Sequence, residues 1–277
     1  MIKSSKCIIV SFPHHLDHLV PISYYEKIPL VVCNPKTQEA LLEFYPWVPF
    51  TMMNQFEGLG KIDEIISTST SETPIKGLHE ALYQKAPLMV RYHHGYSDKV
   101  QDFSSYDKVL FYKDFPNHRL RFYHEFRDLM VKKAKLFLPK KRGQSPLLVT
   151  LTWDSPEHTK NLETLLKHPK KDLFLFRIHP IRAEKTLEHI LLEAKHGLQL
   201  LSHECPYIYP FLEFAKGVLT DRSSIGYDAL YFQKPLMVLD DVPLKKFSES
   251  SIDSWIEACL NSEKIVDHRY MYHQIFG

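Results

Sequence analysis

The chain has 277 residues, and its 35 Lys and Arg against 33 Asp and Glu give a formal net charge of +2. This balance excludes the strong basic field of a typical nucleic-acid-binding protein. A hydrophobic content of 44% with 25% charged residues is typical of a globular protein in water, and the length suits two α/β domains. The first apolar run, CIIVSF, is too short for a signal-peptide core, and no run reaches the length of a membrane span. We therefore expect a cytoplasmic protein.

Cysteine and histidine spacing gives no metal motif. The four cysteines stand far apart, at positions 7, 33, 205 and 259, which is typical of reduced thiols. The segment FPHHLDHLVPIS places His14, His15 and His18 at the opening of the first helix, but no fourth ligand follows at a usable spacing. The sequence therefore predicts no metal site. These three histidines are candidates for acceptor contacts, and surface or capping roles are the alternative.

Short apolar runs predict two series of strands. The first series is CIIVSF, IPLVVC, DEIIST, PLMVRY and DKVLFY, and the second is PLLVTLTW, LFLFRI, LQLLS, GVLTD and PLMVLD. Continuous apolar runs separated by helical patterns indicate parallel strands covered on both faces. The predicted fold class is α/β, with two Rossmann-like doubly wound domains facing a central cleft.

Helix signals and a basic segment suggest the domain limits. Ser155-Pro156 is a typical helix start, and Ser250 with Asp253 forms a candidate capping box for the last helix pattern. The segment MVKKAKLFLPKKRGQ, residues 130–144, indicates a helix end and a linker. Its lysines form either a solvated face or a peripheral contact with the inner face of a membrane. We predict a first domain over 1–130 and a second domain over 145–249, with helices in 250–277 packing back onto the first domain.

Polar residues follow the strands of the second series. The turn DRSS delivers Ser223 and Ser224 to a helix start, where backbone N–H groups attract phosphate; the alternative is that Ser224 only caps the helix. His179 stands before Pro180 at the end of another predicted strand, where a protonated imidazole would neutralise charge on a diphosphate. The alternative is that His179 only makes a hydrogen bond within a loop. Thr152 is a third polar group at this edge. Ligands bind there in open parallel sheets, so a nucleotide site is predicted.

The first series offers a base. His94 follows PLMVRY and precedes Gly95, which allows a close approach of the backbone to a ligand. A neutral imidazole at this strand end would take a proton from an attacking hydroxyl. His93 is an equally good candidate on chemistry alone.

Taken together, these motifs resemble the CDP-glycerol glycerophosphotransferase family. The order is strand–HG-x-x-x-K, strand–TW, strand–R-x-HP, and then a helix leading into strand–TD-x-SS-x-x-x-D with KP before the last strand. The resemblance covers about residues 85–240. The matching residues are His94, Gly95, Lys99, Thr152, Trp153, Arg177, His179, Pro180, Asp221, Ser223, Ser224 and Asp228.

The resemblance implies a GT-B-like, metal-independent transferase of cell-envelope biosynthesis that needs no cofactor. A nucleotide-activated donor would supply a glycerophosphoryl or glycosyl group to a hydroxyl or glycan acceptor. His94 would be the base, with Gly95 and Lys99 on the acceptor side. The predicted donor-site residues are Thr152, Arg177, His179, Asp221, Arg222, Ser223, Ser224 and Asp228.

Two alternatives stay open at this point. Asp154 stands where the family usually has arginine, which favours a non-catalytic nucleotide- or glycan-binding protein. A UDP-N-acetylglucosamine 2-epimerase-like enzyme shares the two-domain plan, but the DRSS turn lacks the glycines typical of that class. Arg222, in place of the family's usual tyrosine, supplies another candidate phosphate contact.

Overall fold

The protein consists of two compact α/β units. The computed structural model describes residues 5–69, 74–92, 103–110, 117–138, 147–152, 157–177, 199–202, 204–261, 267, 269–270 and 272. Described residues up to Arg127 belong to the first unit, and those from Asp128 onward belong to the second. The division therefore falls inside a helix, a few residues before the predicted linker.

The first unit contains a parallel sheet, and all of its described strands except Thr51–Met52 follow predicted apolar runs. Its strands are β1 (Lys6–Val10), β2 (Leu30–Val32), β3 (Thr51–Met52), β4 (Glu64–Ser67), β5 (Leu88–Tyr92) and β6 (Lys108–Leu110). Over the described residues their order is β3-β2-β1-β4-β5-β6, with every pairing parallel. Its helices are α1 (Leu16–Glu26), α2 (Pro35–Phe44), α3 (Pro74–Tyr83) and α4 (His118–Ala134), the last of which continues into the second unit.

The second unit repeats this plan with a smaller sheet. Its strands are β7 (Leu147–Thr150), β8 (Phe174–Phe176), β9 (Gln199–Leu200), β10 (Gly217–Thr220) and β11 (Leu236–Val238). The parallel order over the described residues is β11-β10-β7-β8-β9. The helices are α5 (His158–Lys167), α6 (Tyr209–Phe214), α7 (Ile225–Tyr231) and α8 (Ile252–Asn261). The predicted fold class of two α/β domains with parallel sheets is confirmed.

Each sheet is covered by its own apolar core. In the first unit Cys7, Ile9, Val31, Ile65 and Met89 share one face, because alternate residues of a strand point the same way. In the second unit the corresponding cluster contains strand residues of β7, β8, β10 and β11 together with side chains of α5 and α8.

Helix α8 packs on the second sheet, so its predicted return to the first domain is wrong. Trp255, Ile256 and Cys259 lie in the core cluster of the second unit. The indole Nε1–H of Trp255 donates to the Pro235 carbonyl at 3.0 Å, which anchors the helix beside β11. The apolar stripe of α8 thus covers the nearest sheet along the chain.

The capping box of α8 also differs from the predicted one by one residue at each end. Ser251 Oγ accepts from the Ser254 N–H, and Ser254 Oγ accepts from the Ser251 N–H, both at 3.1 Å. The reciprocal bonds of a capping box need two residues spaced i and i+3, and both Ser251–Ser254 and Ser250–Asp253 have this spacing. The sequence alone did not separate these two registers.

Candidate functional site

The strand order of the second sheet creates a topological switch point. From β7 the chain continues to β8 on one side, and β10 later pairs with β7 on the other side. Ligands of open α/β sheets bind in the crevice at the carboxyl ends of the strands that flank such a point. The predicted residues Thr152 and Asp221 follow β7 and β10, so the sheet brings them together.

Thr152 and Asp221 form a tight pair between these two strand ends. The Thr152 backbone N–H and hydroxyl both donate to Asp221 Oδ2, at 2.7 and 2.9 Å. The other carboxylate oxygen, Oδ1, accepts from the Arg222 N–H at 2.7 Å. Asp221 is fully buried and Thr152 nearly so. These contacts fix the end of β7 against the turn that follows β10, and we call the Thr152–Asp221 pair the frame of the site.

The electrostatics of Asp221 reflect its burial. Burial raises the pKa of this carboxyl above its usual range, the bonds from Thr152 and Arg222 lower it in part, and the charge of Asp240 raises it again. The net direction is upward. The three donated hydrogen bonds therefore offset only part of the cost of removing this carboxylate from water.

Asp240 connects the turn after β10 to helix α5. Its two oxygens accept from Asn161 Nδ2 and from Arg222 Nε, each at 2.8 Å. Asp240 is buried, whereas 26% of the Arg222 side chain is exposed. Among the described residues Arg222 makes this ion pair through Nε, which leaves its Nη groups available to an anion.

The DRSS turn places Ser223 and Ser224 at the start of α7. Both serines are partly buried, and Ser223 Oγ accepts from the Ile225 N–H at 3.4 Å. Ser224 occupies the N-cap position but its side chain makes no capping bond. The alternative interpretation of Ser224 as a mere cap is therefore disfavoured, and its hydroxyl remains a candidate ligand contact.

Arg177 is bound to the segment that precedes α6. Its guanidinium donates to the carbonyl oxygens of Cys205, Pro206 and Tyr207, which lie before α6. The residue is buried, and Arg177 Cζ lies 5.6 Å from the ring centroid of Phe211. Because its donors are engaged by backbone carbonyls, the geometry disfavours a diphosphate contact.

Asp228 likewise faces the packing between helices. It lies on α7, is 3% exposed, and accepts from the Tyr209 hydroxyl of α6 at 3.2 Å. The Tyr209 and Tyr272 hydroxyl oxygens are 3.1 Å apart. This network ties α6, α7 and Tyr272 together, so it disfavours the donor contact predicted for Asp228.

Three residues at the switch point were missed by sequence reasoning. They are Asn161, Asp240 and His158, the first residue of α5, whose Nδ1 lies 2.7 Å from the Thr152 carbonyl oxygen. A carbonyl only accepts, so Nδ1 carries a proton, and a neutral His158 would present Nε2 as an acceptor. The spacing of His158 and Asn161 on one helix was the only sequence signal, and it is common in ordinary helices.

Of the predicted first-unit residues, the described ones lie near the carboxyl end of β1. His14 and His15 belong to a short 3-10 helix, Pro13–His15, and their ring centroids are 4.2 Å apart. His18 follows on α1. The other candidates lie outside the described residues: His93, His94, Gly95, Lys99, Trp153, Asp154, His179 and Pro180.

Neither a metal cluster nor a membrane span is found in the described part of the chain. Within it, no three His, Cys, Asp or Glu side chains converge as metal ligands. None of its helices has the length and apolar composition needed to cross a bilayer.

Comparison with known proteins supports the fold. No protein-family model and no curated protein sequence matches the chain. Anabaena HepE in complex with UDP and glucose superposes with a TM-score of 0.53 at 9% identity, over 98% of this chain and 95% of HepE. A UDP-GlcNAc 2-epimerase from Methanocaldococcus jannaschii, in complex with UDP-GlcNAc and UDP, gives 0.50 at 13% identity, over 98% and 99%. These similarities show a GT-B-like fold.

The wall teichoic acid polymerase TagF also superposes on the chain, with a TM-score of 0.49 at 11% identity, over 99% of this chain and 88% of TagF.

Proposed function

We propose that the protein is a transferase that moves a glycosyl or glycerophosphoryl group from a nucleotide-activated donor to a hydroxyl acceptor. The observation that carries the proposal is the polar cluster at the switch point of the second sheet. There the Thr152–Asp221 pair fixes the turn that presents Arg222, Ser223 and Ser224. Crevices of this kind are where α/β sheets bind nucleotides.

The nucleotide is the first part of the proposal. The two comparison structures with TM-scores of 0.50 and 0.53 were solved with UDP bound, together with UDP-GlcNAc or glucose. The sequence motifs instead resemble enzymes that use CDP-glycerol. Both observations support a nucleoside diphosphate donor, and the identity of its nucleobase has to be found by experiment.

The departing nucleotide, a diphosphate in glycosyl transfer and a monophosphate in glycerophosphoryl transfer, would take up most of the charge that develops as its bond to the transferred group breaks. We propose that the Arg222 Nη groups, the hydroxyls of Ser223 and Ser224, and His179 stabilise this charge. Such groups accelerate transfer when they bind the departing nucleotide more strongly than the intact donor. Arg222 is held for this role by Asp240, which orients the guanidinium through Nε.

His94 is proposed as the general base, with His93 as the neighbouring candidate. A neutral imidazole takes the proton of the acceptor hydroxyl as its oxygen attacks the donor. The nucleoside diphosphate or monophosphate then leaves, according to whether a glycosyl or a glycerophosphoryl group is transferred. By the resemblance, the reaction proceeds without a metal.

Nucleotide binding is tested first, by thermal shift with CDP, CMP, UDP, CDP-glycerol, CDP-ribitol and UDP-sugars. A ligand at 100 times its dissociation constant stabilises the fold by about 2.7 kcal/mol, a shift of a few degrees. The site variant is His179→Ala, and the matched control is His124→Ala, an exposed histidine of α4. We expect the shift to persist in the control and to shrink in His179→Ala.

The preference for cytidine or uridine nucleotides then decides the class of donor. A cytidine-selective shift favours a glycerophosphotransferase, and a uridine-selective shift favours a sugar transferase. If no nucleotide shifts the melting temperature, the proposal fails at its donor site.

Turnover separates an enzyme from a binding protein. With the donor found above, product release is followed by chromatography for wild type, His93→Ala and His94→Ala. We expect His94→Ala to keep nucleotide binding and to lose turnover by about 100-fold or more, the range typical of a general base. A wild-type protein that binds nucleotide but shows no turnover with any acceptor would be a binding module.

A further inference from the structure

The first unit contains a buried arginine that the proposed donor chemistry does not use. Arg91 lies near the carboxyl end of β5, opposite Ser67 of β4 in the sheet register. It is 8% exposed and lies on the same strand face as the core residue Met89. A guanidinium is charged at every physiological pH, so this charge has to be balanced within the fold or by a ligand.

The described surroundings of Arg91 are aromatic and hydroxylic. Arg91 Nη1 donates to the Tyr106 hydroxyl at 3.3 Å, and Cζ lies 5.3 and 5.8 Å from the ring centroids of Tyr106 and Phe103. The Ser67 hydroxyl lies 3.3 Å from the same Tyr106 oxygen. Ring faces attract the guanidinium but do not neutralise its charge.

No carboxylate of the described residues pairs with Arg91. Asp107, which follows Tyr106, binds Lys76 at 2.7 Å and accepts from the Met89 N–H at 2.8 Å. Arg91 Nε is buried and has no hydrogen-bond partner in the described part of the chain. The arginine therefore lacks a partner at the atom that usually takes part in side-on pairing with an oxyanion.

A second unsatisfied group lies at the end of the neighbouring strand. Thr68 follows β4, is 1% exposed, and its hydroxyl also has no hydrogen-bond partner among the described residues. Burying a charge and a hydroxyl without hydrogen-bond partners at these atoms is unfavourable. Their position at strand ends, where α/β sheets bind ligands, points to a missing ligand.

We infer that Arg91 is the centre of an oxyanion-binding site in the first unit. The ligand is a small molecule with a phosphate monoester or carboxylate group, bound side-on by Nε and an Nη atom. Ser67 Oγ donates to the Ser69 carbonyl, so the Tyr106 hydroxyl donates to Ser67 Oγ, and the Tyr106 ring is held beside the guanidinium. The site does not depend on the proposed function. If that function holds, the oxyanion belongs to the acceptor, and this last step rests on it.

The site is tested with inorganic phosphate and acetate as separate probes, titrated calorimetrically into the whole protein. Saturating UDP is present throughout, so that a nucleotide site in the second unit does not take up the probe. Arg91→Met keeps an unbranched side chain between the rings and removes the charge, and Arg91→Lys keeps the charge without the fork. We expect one site in the wild type, at least 10-fold weaker binding in Arg91→Met, and an intermediate affinity in Arg91→Lys.

Arg177→Met is the matched control, because it also removes a buried guanidinium, one that is engaged by backbone carbonyls. We expect Arg177→Met to lower the melting temperature and to leave the affinity for the probe unchanged. Arg91→Met should do the opposite, since the charge it removes has no carboxylate partner among the described residues.

Three results would overturn the inference. They are absence of binding to either probe at millimolar concentration, unchanged affinity in Arg91→Met, and a loss of stability in Arg91→Met as large as in Arg177→Met or preventing folding. The two probes separate phosphate from carboxylate ligands. UDP binding, measured in the same variants without the probes, shows independently whether the donor proposal stands.

Discussion

Thr152 donates two hydrogen bonds to the same carboxylate oxygen of Asp221, one from its backbone and one from its hydroxyl. The pair joins the ends of β7 and β10, the strands that flank the switch point of the second sheet. A single side chain therefore links the geometry of the DRSS turn to that of the neighbouring strand, and its removal is a direct test of the frame of the site.

Thr152→Val should destabilise the protein by about 1–2 kcal/mol, because it leaves one carboxylate lone pair of Asp221 without its donor. Thr152→Ser keeps the hydroxyl and serves as the control, with a smaller loss. Urea unfolding at pH 7 measures both. A loss in Thr152→Ser that exceeds the loss in Thr152→Val would show that the methyl group, rather than the hydroxyl, stabilises this site.

The same variant carries a pH signature. The hydroxyl bond favours the ionised form and so lowers the pKa of Asp221, which burial raises above its usual 3.8. Thr152→Val raises that pKa further, so its destabilisation is complete above the Asp221 pKa and shrinks as the pH falls through it. Unfolding at pH 7 and pH 4 should show a smaller difference between wild type and variant at pH 4. A difference that grows on acidification would contradict the assignment.

Gly217→Ala should destabilise the second unit by about 1–3 kcal/mol through overpacking. A Cβ at this position of β10 would fall on Cys259 Sγ and would lie 3.0 Å from Trp255 Nε1 and 3.2 Å from the Pro235 carbonyl oxygen. Thermal unfolding measures the effect. Adding Cys259→Ala removes the clashing sulfur, so the double variant should lose less than the sum of the two single losses. Additive losses would place the strain elsewhere.

Arg119→Met should destabilise the first unit by about 3 kcal/mol, because it leaves the Asp17 carboxylate buried without its cation. Arg119 Nε and Nη2 bind Asp17 Oδ2 at 2.9 and 2.5 Å, and they join α4 to α1. Asp17→Asn in the same background removes the orphaned charge and should recover part of the loss in denaturant unfolding. No recovery would indicate that packing of the Arg119 stem dominates.

Ser251→Ala should cost about 1 kcal/mol by removing the reciprocal cap of α8, whereas Ser250→Ala should be close to neutral. Thermal unfolding of the two variants compares neighbouring residues of identical chemistry. A larger effect at Ser250 would restore the capping box predicted from the sequence.

Most strands were predictable because the predicted runs are rich in apolar residues with few polar interruptions, as sheets buried on both faces require. The two-residue strand β3 (Thr51–Met52) is partly buried and too short to produce such a run. Helix α8 was placed on the wrong domain because an amphipathic stripe shows that a helix is covered but does not show by which sheet.

The candidate site was predictable as far as strand ends determine it. Thr152 and Asp221 follow apolar runs, and parallel pairing brings them together. Arg177 and Asp228 were predicted for the site from the same set of motifs. In the structure Arg177 donates to carbonyls before α6, and Asp228 accepts from the Tyr209 hydroxyl. Whether a polar side chain at a strand end serves the fold or a ligand depends on partners far away in the chain, and no local pattern reports them.

The pairing of β7 with β10 also has a consequence for the order of folding. The Thr220 hydroxyl donates to the Thr150 carbonyl across a sequence separation of 70 residues. Such a loop closes at a high entropic cost, and long-range parallel pairing is slow relative to local helix formation. We therefore expect the cluster around Asp221 to be assembled late, after the intervening segments have docked. A chain arrested before that closure would already contain much of its helical structure and would still lack the crevice.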